Sequence, residues 1–333
     1  MQNSKIKIIE TYFPSKILTN EMISKEFPSW NSDKIESKIG VRQRHIADEN
    51  QTALDLAFNA ASKVLDKYDK NKIGFVILCT QSPDYFLPTS ACILQEKLNL
   101  NKNIGAFDFN LGCSGFIYGL ALSKSLLLAN MSKSVLLVMS ETYSKYIHNL
   151  DFANRSIFGD AATATIIESH EVEHLHEFVF GTDGNGANNL IVQNGGAKHN
   201  YEDNPDTLSL PNGNKSTKNK LYMNGPEIFN FTIDVIPKLI KDVLHKNKIE
   251  IEDIDYFIFH QANKFMLNYL RKKLKVHSDK FYNNILETGN TVSSSIPIAL
   301  KNAIDNKTIK KGDTVLLCGF GVGYSWGATI ITI

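Results

Sequence analysis

Ala106-Phe-Asp-Phe-Asn-Leu-Gly-Cys-Ser-Gly-Phe116 runs as an apolar stretch, breaks at Gly112 and then opens a long apolar pattern. This predicts a buried strand, a tight turn and a helix, with Cys113 at the helix start. A helix N-terminus carries partial positive charge, which favours thiolate over thiol and makes the sulfur a nucleophile near neutral pH. A thiol is more often a small buried core residue. Here the position, and the small neighbours Gly112, Ser114 and Gly115, favour a reactive cysteine that a substrate can approach. The helix expected from Ser114 to Asn130 is apolar on nearly every face, which puts it in the middle of the protein. Gly115 and Gly119 on one face admit a close neighbour.

Outward from this unit the scheme repeats. Ile73–Cys79 and Ser134–Met139 are continuous apolar runs of the kind found in strands buried on both faces, with a helical stretch at Thr89–Leu98 between them. In the second half Ile254-Asp-Tyr-Phe-Ile-Phe-His260 mirrors the first run and Thr314-Val-Leu-Leu-Cys-Gly-Phe-Gly321 mirrors the second. The expectation is an α/β protein with two halves of one topology, residues 1–170 and 171–333, the chain opening on a short strand. Gly195–Lys220, rich in Gly, Asn, Asp, Ser and Lys, is expected to be a long exposed loop, with an active-site cover as the second reading.

Composition narrows the function. A chain of 333 residues with 43% hydrophobic and 21% charged residues is ordinary globular protein. Its net charge of +1 is not that of a nucleic-acid binder. No segment has the length and apolarity of a membrane span, and the N-terminus has no secretory pattern. Four scattered cysteines, Cys79, Cys92, Cys113 and Cys318, have neither metal-ligand nor disulfide spacing, so no metal or cofactor is expected and a reducing cytoplasmic setting fits.

A cysteine nucleophile needs a group to manage protons and donors for the developing oxyanion. His260 ends a buried strand run, where α/β folds place chemistry, although a lone histidine often only caps a strand. Asn290 lies in the polar loop before a helix expected at Ile296–Ile304; its ordinary role there is a turn or helix cap. Gly319-Phe-Gly-Val-Gly-Tyr-Ser-Trp-Gly-Ala328 follows another strand and offers backbone N–H groups, without the spacing of a nucleotide-binding loop.

Taken together, Gly-Cys-Ser-Gly at 112–115, Phe-Gly-Asp-Ala-Ala at 158–162, His-Gln-Ala-Asn at 260–263, Gly-Asn-Thr at 289–291, Gly40-Val-Arg-Gln-Arg-His-Ile-Ala47 and the glycine-rich end resemble the β-ketoacyl-acyl-carrier-protein synthase III family, in order and spacing from about residue 5 to the C-terminus. The resemblance implies the thiolase fold, a duplicated five-layer α-β-α-β-α sandwich, and a homodimer. It implies that Cys113 takes an acyl group from a thioester primer and that malonyl-acyl-carrier protein then loses CO₂ to an enolate held by His260 and Asn290. The backbone N–H groups of Cys113 and Val322, the latter between Gly321 and Gly323, would form the oxyanion hole. Leu87, Phe158, Met223, Gly321 and Gly323 would bound the substrate, with Leu87 reaching across the dimer; without the resemblance Leu87 and Met223 read as core. Lys264, Arg271 and Lys272 would receive the acidic carrier protein, or form a solvated helix face.

The chain departs from the pattern at Lys34 and Lys38, where relatives that take acyl-coenzyme A carry tryptophan and arginine, and at Phe152, where an arginine is expected and Arg155 is nearby. The expectation is a primer delivered on a carrier protein, or a specialised short acyl chain for a surface sugar or secondary metabolite. The alternative activity is acyl transfer from Cys113 to a hydroxyl or amine. A hydroxymethylglutaryl-type synthase lacks an evident glutamate acid, a hydrolase lacks a carboxylate to orient His260, and a non-catalytic scaffold would not be expected to keep Cys113, His260 and Asn290.

Overall fold

Ser134–Glu141 is buried at every position, as the run Val-Leu-Leu-Val-Met requires of a strand covered on both faces. In the computed structural model, which describes residues 3–210 and 213–333, this strand is the centre of a five-stranded sheet. Met1 and Gln2 of the expected N-terminal strand, and Pro211 and Asn212 of the expected loop, lie outside the described residues. The first sheet contains β1 (Asn3–Tyr12), β2 (Phe75–Cys79), β3 (Gly105–Phe109), β4 (Ser134–Glu141) and β5 (Ala161–His170) in the order β1-β5-β4-β2-β3. The second contains β6 (Leu175–Thr182), β7 (Tyr256–Phe259), β8 (Thr314–Gly321) and β9 (Ser325–Thr332) in the order β7-β8-β9-β6.

The pairing senses agree between the sheets. β2–β4 and β7–β8 are parallel; β4–β5 and β8–β9 are antiparallel; β5–β1 and β9–β6 are antiparallel. The place of β3, which pairs parallel with β2, is taken in the second sheet by a single parallel bridge from Phe257 to Phe281.

Alternate residues of each strand face different helices. Helices α3 (Gly115–Leu128) and α6 (Ser295–Asp305) fill the space between the sheets, where Phe116, Ile117, Ile296 and Leu300 meet Ile77 and Leu137 on one side and Ile258 and Leu317 on the other. Helices α1 (Ala53–Leu65) and α2 (Ser90–Lys97) cover the outer face of the first sheet, on Val76, Leu78, Leu136 and Val138. Helices α4 (Gly225–Asn247) and α5 (Lys264–Lys273) cover the outer face of the second, on Phe257, Phe259, Leu316 and Cys318. These are the five layers of the expected sandwich. Each fully buried Leu or Ile in them contributes roughly 1.5–3 kcal/mol.

One expectation is corrected. Helix α3 is not enclosed all round: Leu122 and Leu128 are 39% and 44% exposed, because its outer side lies beyond the reach of either sheet. The segment 195–220 is exposed along most of its described length, as expected, and it also carries internal order. Its strands Leu208–Ser209 and Lys215–Ser216 pair, and the buried Asn194 and Asn219 amides are hydrogen-bonded at 3.0 Å, so polar side chains rather than an apolar core order it. Among the described residues no helix is long and apolar enough to cross a membrane.

Candidate active site

Cys113 occupies the turn between β3 and α3, closed by a hydrogen bond from Gly115 N–H to the Gly112 carbonyl at 2.8 Å. Strand β8 of the other half lies directly against it. A Cβ at Gly321 would stand 2.9 Å from Cys113 Cβ and 3.0 Å from Sγ, and one at Gly319 would stand 2.9 Å from the Cys113 carbonyl. Only glycine lets the strand come this near. Ser114 and Ser325 hydroxyls join the two halves at 2.7 Å. Val322 reaches over Gly112, where a Cβ would meet its Cγ1 at 2.7 Å. Cys113, Phe158, Leu190, Leu221 and Val292, with Met223 and Val322 at the edge, form one apolar cluster.

His260 follows β7, its N–H donating to the Cys318 carbonyl at 2.8 Å, and its ring stands edge-on to Phe320 at 5.6 Å. Phe320 immediately precedes Gly321, so β8 carries the histidine support and the cysteine floor on adjacent residues. The ring Nδ1 is 2.8 Å from Ser295 Oγ, and Nε2 is 3.4 Å from Asn290 Nδ2. Burial pushes the His260 pKa down to about 3, against a backbone hydrogen bond with Val292, so the imidazole is neutral.

Asn290 is held by Phe158-Gly159. Its N–H donates to the Ile157 carbonyl at 2.9 Å, and its carbonyl accepts the Gly159 N–H at 3.0 Å. Gly289 needs its left-handed φ of +65° and the empty Cβ position, which would lie 2.7 Å from the Ile157 carbonyl. The Asn290 Oδ1 accepts the Val292 N–H at 2.9 Å, so the NH₂ end faces His260.

The thiolate expected of Cys113 is overturned. Burial pushes the thiol up to about 12, and the charge of Glu141 adds to it, outweighing a lowering backbone hydrogen bond. Glu141 is one residue that sequence reasoning missed. Its buried carboxylate accepts the Gln81 N–H at 3.0 Å, the Ser82 hydroxyl at 2.9 Å and the Ser293 hydroxyl at 3.5 Å. A charged residue closing an apolar strand run was the available signal. It makes no bond to His260, whose partner is a hydroxyl.

Other expected residues scatter. Leu87 is not core: it is 82% exposed beside Tyr85 and Phe86, at the rim of a cavity of about 1100 Å³. Tyr143, Leu190, Leu221 and Val322 connect that cavity to the cysteine cluster, and residues 194–196, 201 and 219–221 wall it. Lys264 and Lys272 are exposed beside Lys38, Phe265 and Tyr269 in a shallow groove. Arg271 instead turns its guanidinium to the Val276 carbonyl at 3.0 Å. Trp30 stacks on buried Phe152 at 4.4 Å, with Lys34 and Lys38 ammonium groups 4.8 and 5.5 Å from its ring centre.

Comparison with known proteins agrees with this geometry. Residues 107–184 match the family described as 3-oxoacyl-[acyl-carrier-protein (ACP)] synthase III, and residues 244–333 match its C-terminal family. The chain is 36% identical to the Clostridium perfringens β-ketoacyl-[acyl-carrier-protein] synthase III over 336 residues, covering 100% of both chains. A 2.1 Å crystal structure of a 3-oxoacyl-(acyl-carrier-protein) synthase III superposes with a TM-score of 0.98 at 42% identity, covering 99% of this chain and 100% of that one. The Burkholderia xenovorans 3-oxoacyl-(acyl-carrier protein) synthase gives 0.92 at 34%, covering 100% of this chain and 95% of that one.

Proposed function

The chain belongs to the 3-oxoacyl-[acyl-carrier-protein] synthase III family, and from that premise we propose a division of the reaction between its two halves. It is an acyl-transferring, condensing enzyme that joins an acyl thioester primer to malonyl-acyl-carrier protein with loss of CO₂. Cys113 Sγ attacks the primer carbonyl, the carbonyl–sulfur bond of the donor breaks, and the thiol proton leaves with the departing thiol. The carbon–carboxylate bond of the malonyl group then breaks and CO₂ departs. The electron pair remains as an enolate, whose oxygen takes hydrogen bonds from His260 and Asn290. The enolate carbon attacks acyl-Cys113, a carbon–carbon bond forms, and the cysteine sulfur leaves and regains a proton. The N–H groups of Cys113 and Val322 receive the oxyanion of each addition. One such donor is worth roughly 3–4 kcal/mol.

The observation that carries this reading is the His260–Asn290 pair. A neutral imidazole and an amide, with nitrogens 3.4 Å apart, suit one enolate oxygen and not the activation of water. Nothing in the site favours ester or amide formation over condensation. Phe158 and Met223, packed in the cysteine cluster, and Gly321 and Gly323 in the turn of the second half bound the acyl group.

The finer points follow from particular surfaces. Trp30 is already stacked on Phe152 and has two ammonium groups against its ring, which compete with adenine for it. This supports a primer delivered on carrier protein rather than coenzyme A, docked at Lys264 and Lys272 with Arg271 supporting the helix end. A homodimer is supported by the free edge of β3, whose Phe107 and Phe109 are half-buried, and by exposed Leu87, which then enters the partner's cavity. The halves divide at the turn between His170 and Leu175, and the free thiols of Cys79, Cys92, Cys113 and Cys318 support a reducing, cytoplasmic setting.

Intact-mass spectrometry of the protein with acyl-coenzyme A and acyl-carrier thioesters tests the reading. The expected result is an adduct absent from Cys113→Ala, formed faster from acyl-carrier protein, and discharged by malonyl-carrier protein to a 3-oxoacyl product. An adduct that malonyl-carrier protein does not discharge would contradict it.

A further inference from the structure

We propose that Ser295 is a positioning residue that fixes the tautomer of His260, holding the ring proton on Nε2 so that it and the Asn290 amide aim two N–H groups at one substrate oxygen. The assignment rests on the condensing role above and adds the group that makes His260 a donor.

It follows from an account of protons. Ser295 is buried at the start of α6, and its Oγ stands 2.8 Å from His260 Nδ1. The same oxygen accepts the Gln261 N–H at 3.4 Å. A hydroxyl has one proton and two acceptor positions. Among the described residues the Ser295 hydroxyl has no acceptor within hydrogen-bonding distance other than His260 Nδ1. If the ring carried its proton on Nδ1, Oγ would accept twice and its own proton would be buried without a partner. A buried donor left unmade is the costlier arrangement. With the hydroxyl donating to Nδ1, the hydroxyl proton has its acceptor and the single proton of the neutral ring lies on Nε2.

The Asn290 side makes this matter. The Val292 N–H holds Oδ1, which turns Nδ2 toward Nε2 at 3.4 Å. Two donor nitrogens at that separation both reach one oxygen between them. With the other tautomer, Nε2 would accept from Nδ2 and the pair would close on itself. The partner on Nδ1 therefore decides whether His260 joins Asn290 as a second donor or instead takes one of its N–H groups.

The test begins with the wild-type protein, so it does not depend on a variant folding. Histidine-selective ¹⁵N labelling, with the His260 signal assigned by loss in His260→Ala, reads the tautomer directly. The expected pattern is a protonated Nε2 and a bare Nδ1. In Ser295→Ala the proton redistributes toward Nδ1, and CO₂ release from malonyl-carrier protein falls about 10²-fold, more than acyl loading of Cys113 falls. Ser295→Thr, which keeps the hydroxyl, restores both the tautomer and CO₂ release. A wild-type ring protonated on Nδ1, or undiminished CO₂ release in Ser295→Ala, would overturn the assignment. A wild-type protein with the expected tautomer that neither loads an acyl group nor releases CO₂ would overturn the condensing role instead.

Discussion

The two halves place different residues at equivalent points of one architecture. Ile77 pairs in register with Leu137, and Ile258 with Leu317, and all four face the shared helical layer. Counting from these, Cys79 corresponds to His260 and Glu141 to Gly321. The helix starts correspond as well, Ser114 with Ser294 and Gly115 with Ser295, because each meets the strand end of the opposite half. Gly319 lies against Ser114 as the Met139 carbonyl takes the Ser294 hydroxyl; Gly321 lies against Cys113 as Glu141 takes that of Ser293. The differences make the site. In the first half Gly115 seats on Cys79, where a Cβ would come to 2.5 Å from its Sγ, and no side chain fits between them. In the second, Ser295 supplies a hydroxyl to His260. One turn thus carries the proposed nucleophile on a floor of glycine, and the other the proposed hydrogen-bond donors. The two sheets share one frame, and on the proposed reading a few facing positions divide the chemistry.

The division can be broken from either side. Asn290→Ala removes one donor of the pair and should cut CO₂ release from malonyl-carrier protein by about 10²–10³-fold. Acyl loading of Cys113, followed by intact mass, should survive far better. Gly321→Val acts on the other half-reaction. Its side chain displaces Sγ, and loading should fall by about 10²-fold, as a misplacement near 1 Å does.

Glu141→Gln sharpens the comparison at the position where the other half has Gly321. Burial holds the Glu141 carboxyl up at about 8, so ionisation above that pH sets a negative charge beside the thiol and opposes thiolate formation. The variant should alkylate with iodoacetamide at lower pH than wild type. The same raised pKa means that Glu141 stabilises the fold fully below its ordinary 4.5 and loses that contribution as pH rises through about 8. Thermal unfolding across this window should show the loss in wild type and not in the variant. Lys272→Glu lies outside the divided core and should raise KM for malonyl-carrier protein only about threefold, with kcat unchanged.

What was legible in the sequence follows the same lines. The β3–Cys113–α3 unit was readable because an apolar run, a glycine and a second apolar pattern adjoin in the chain. His260 was readable because it ends such a run. Ser295 and Glu141 were not. Their meaning lies in contacts with His260, Gln81 and Ser293, which are 35, 60 and 152 positions away. The ionisation of Cys113 was misread because position at a helix start is visible in sequence, while enclosure by the other half is not. Leu87 read as core by residue type alone, yet its loop leaves it exposed on the single chain. The 23-residue helix Gly225–Asn247 was not picked out either, and it carries Pro237 in its interior. Its packing on β8 and β9 through Ile236, Ile240 and Val243 overrides the local breaking signal.

The most direct test of the divided site is CO₂ release from malonyl-carrier protein by two single variants. If the second half's donors work independently of the nucleophile, Cys113→Ala releases CO₂ without forming a 3-oxoacyl product, and His260→Ala does not release it. Release by His260→Ala together with silence from Cys113→Ala would contradict the account.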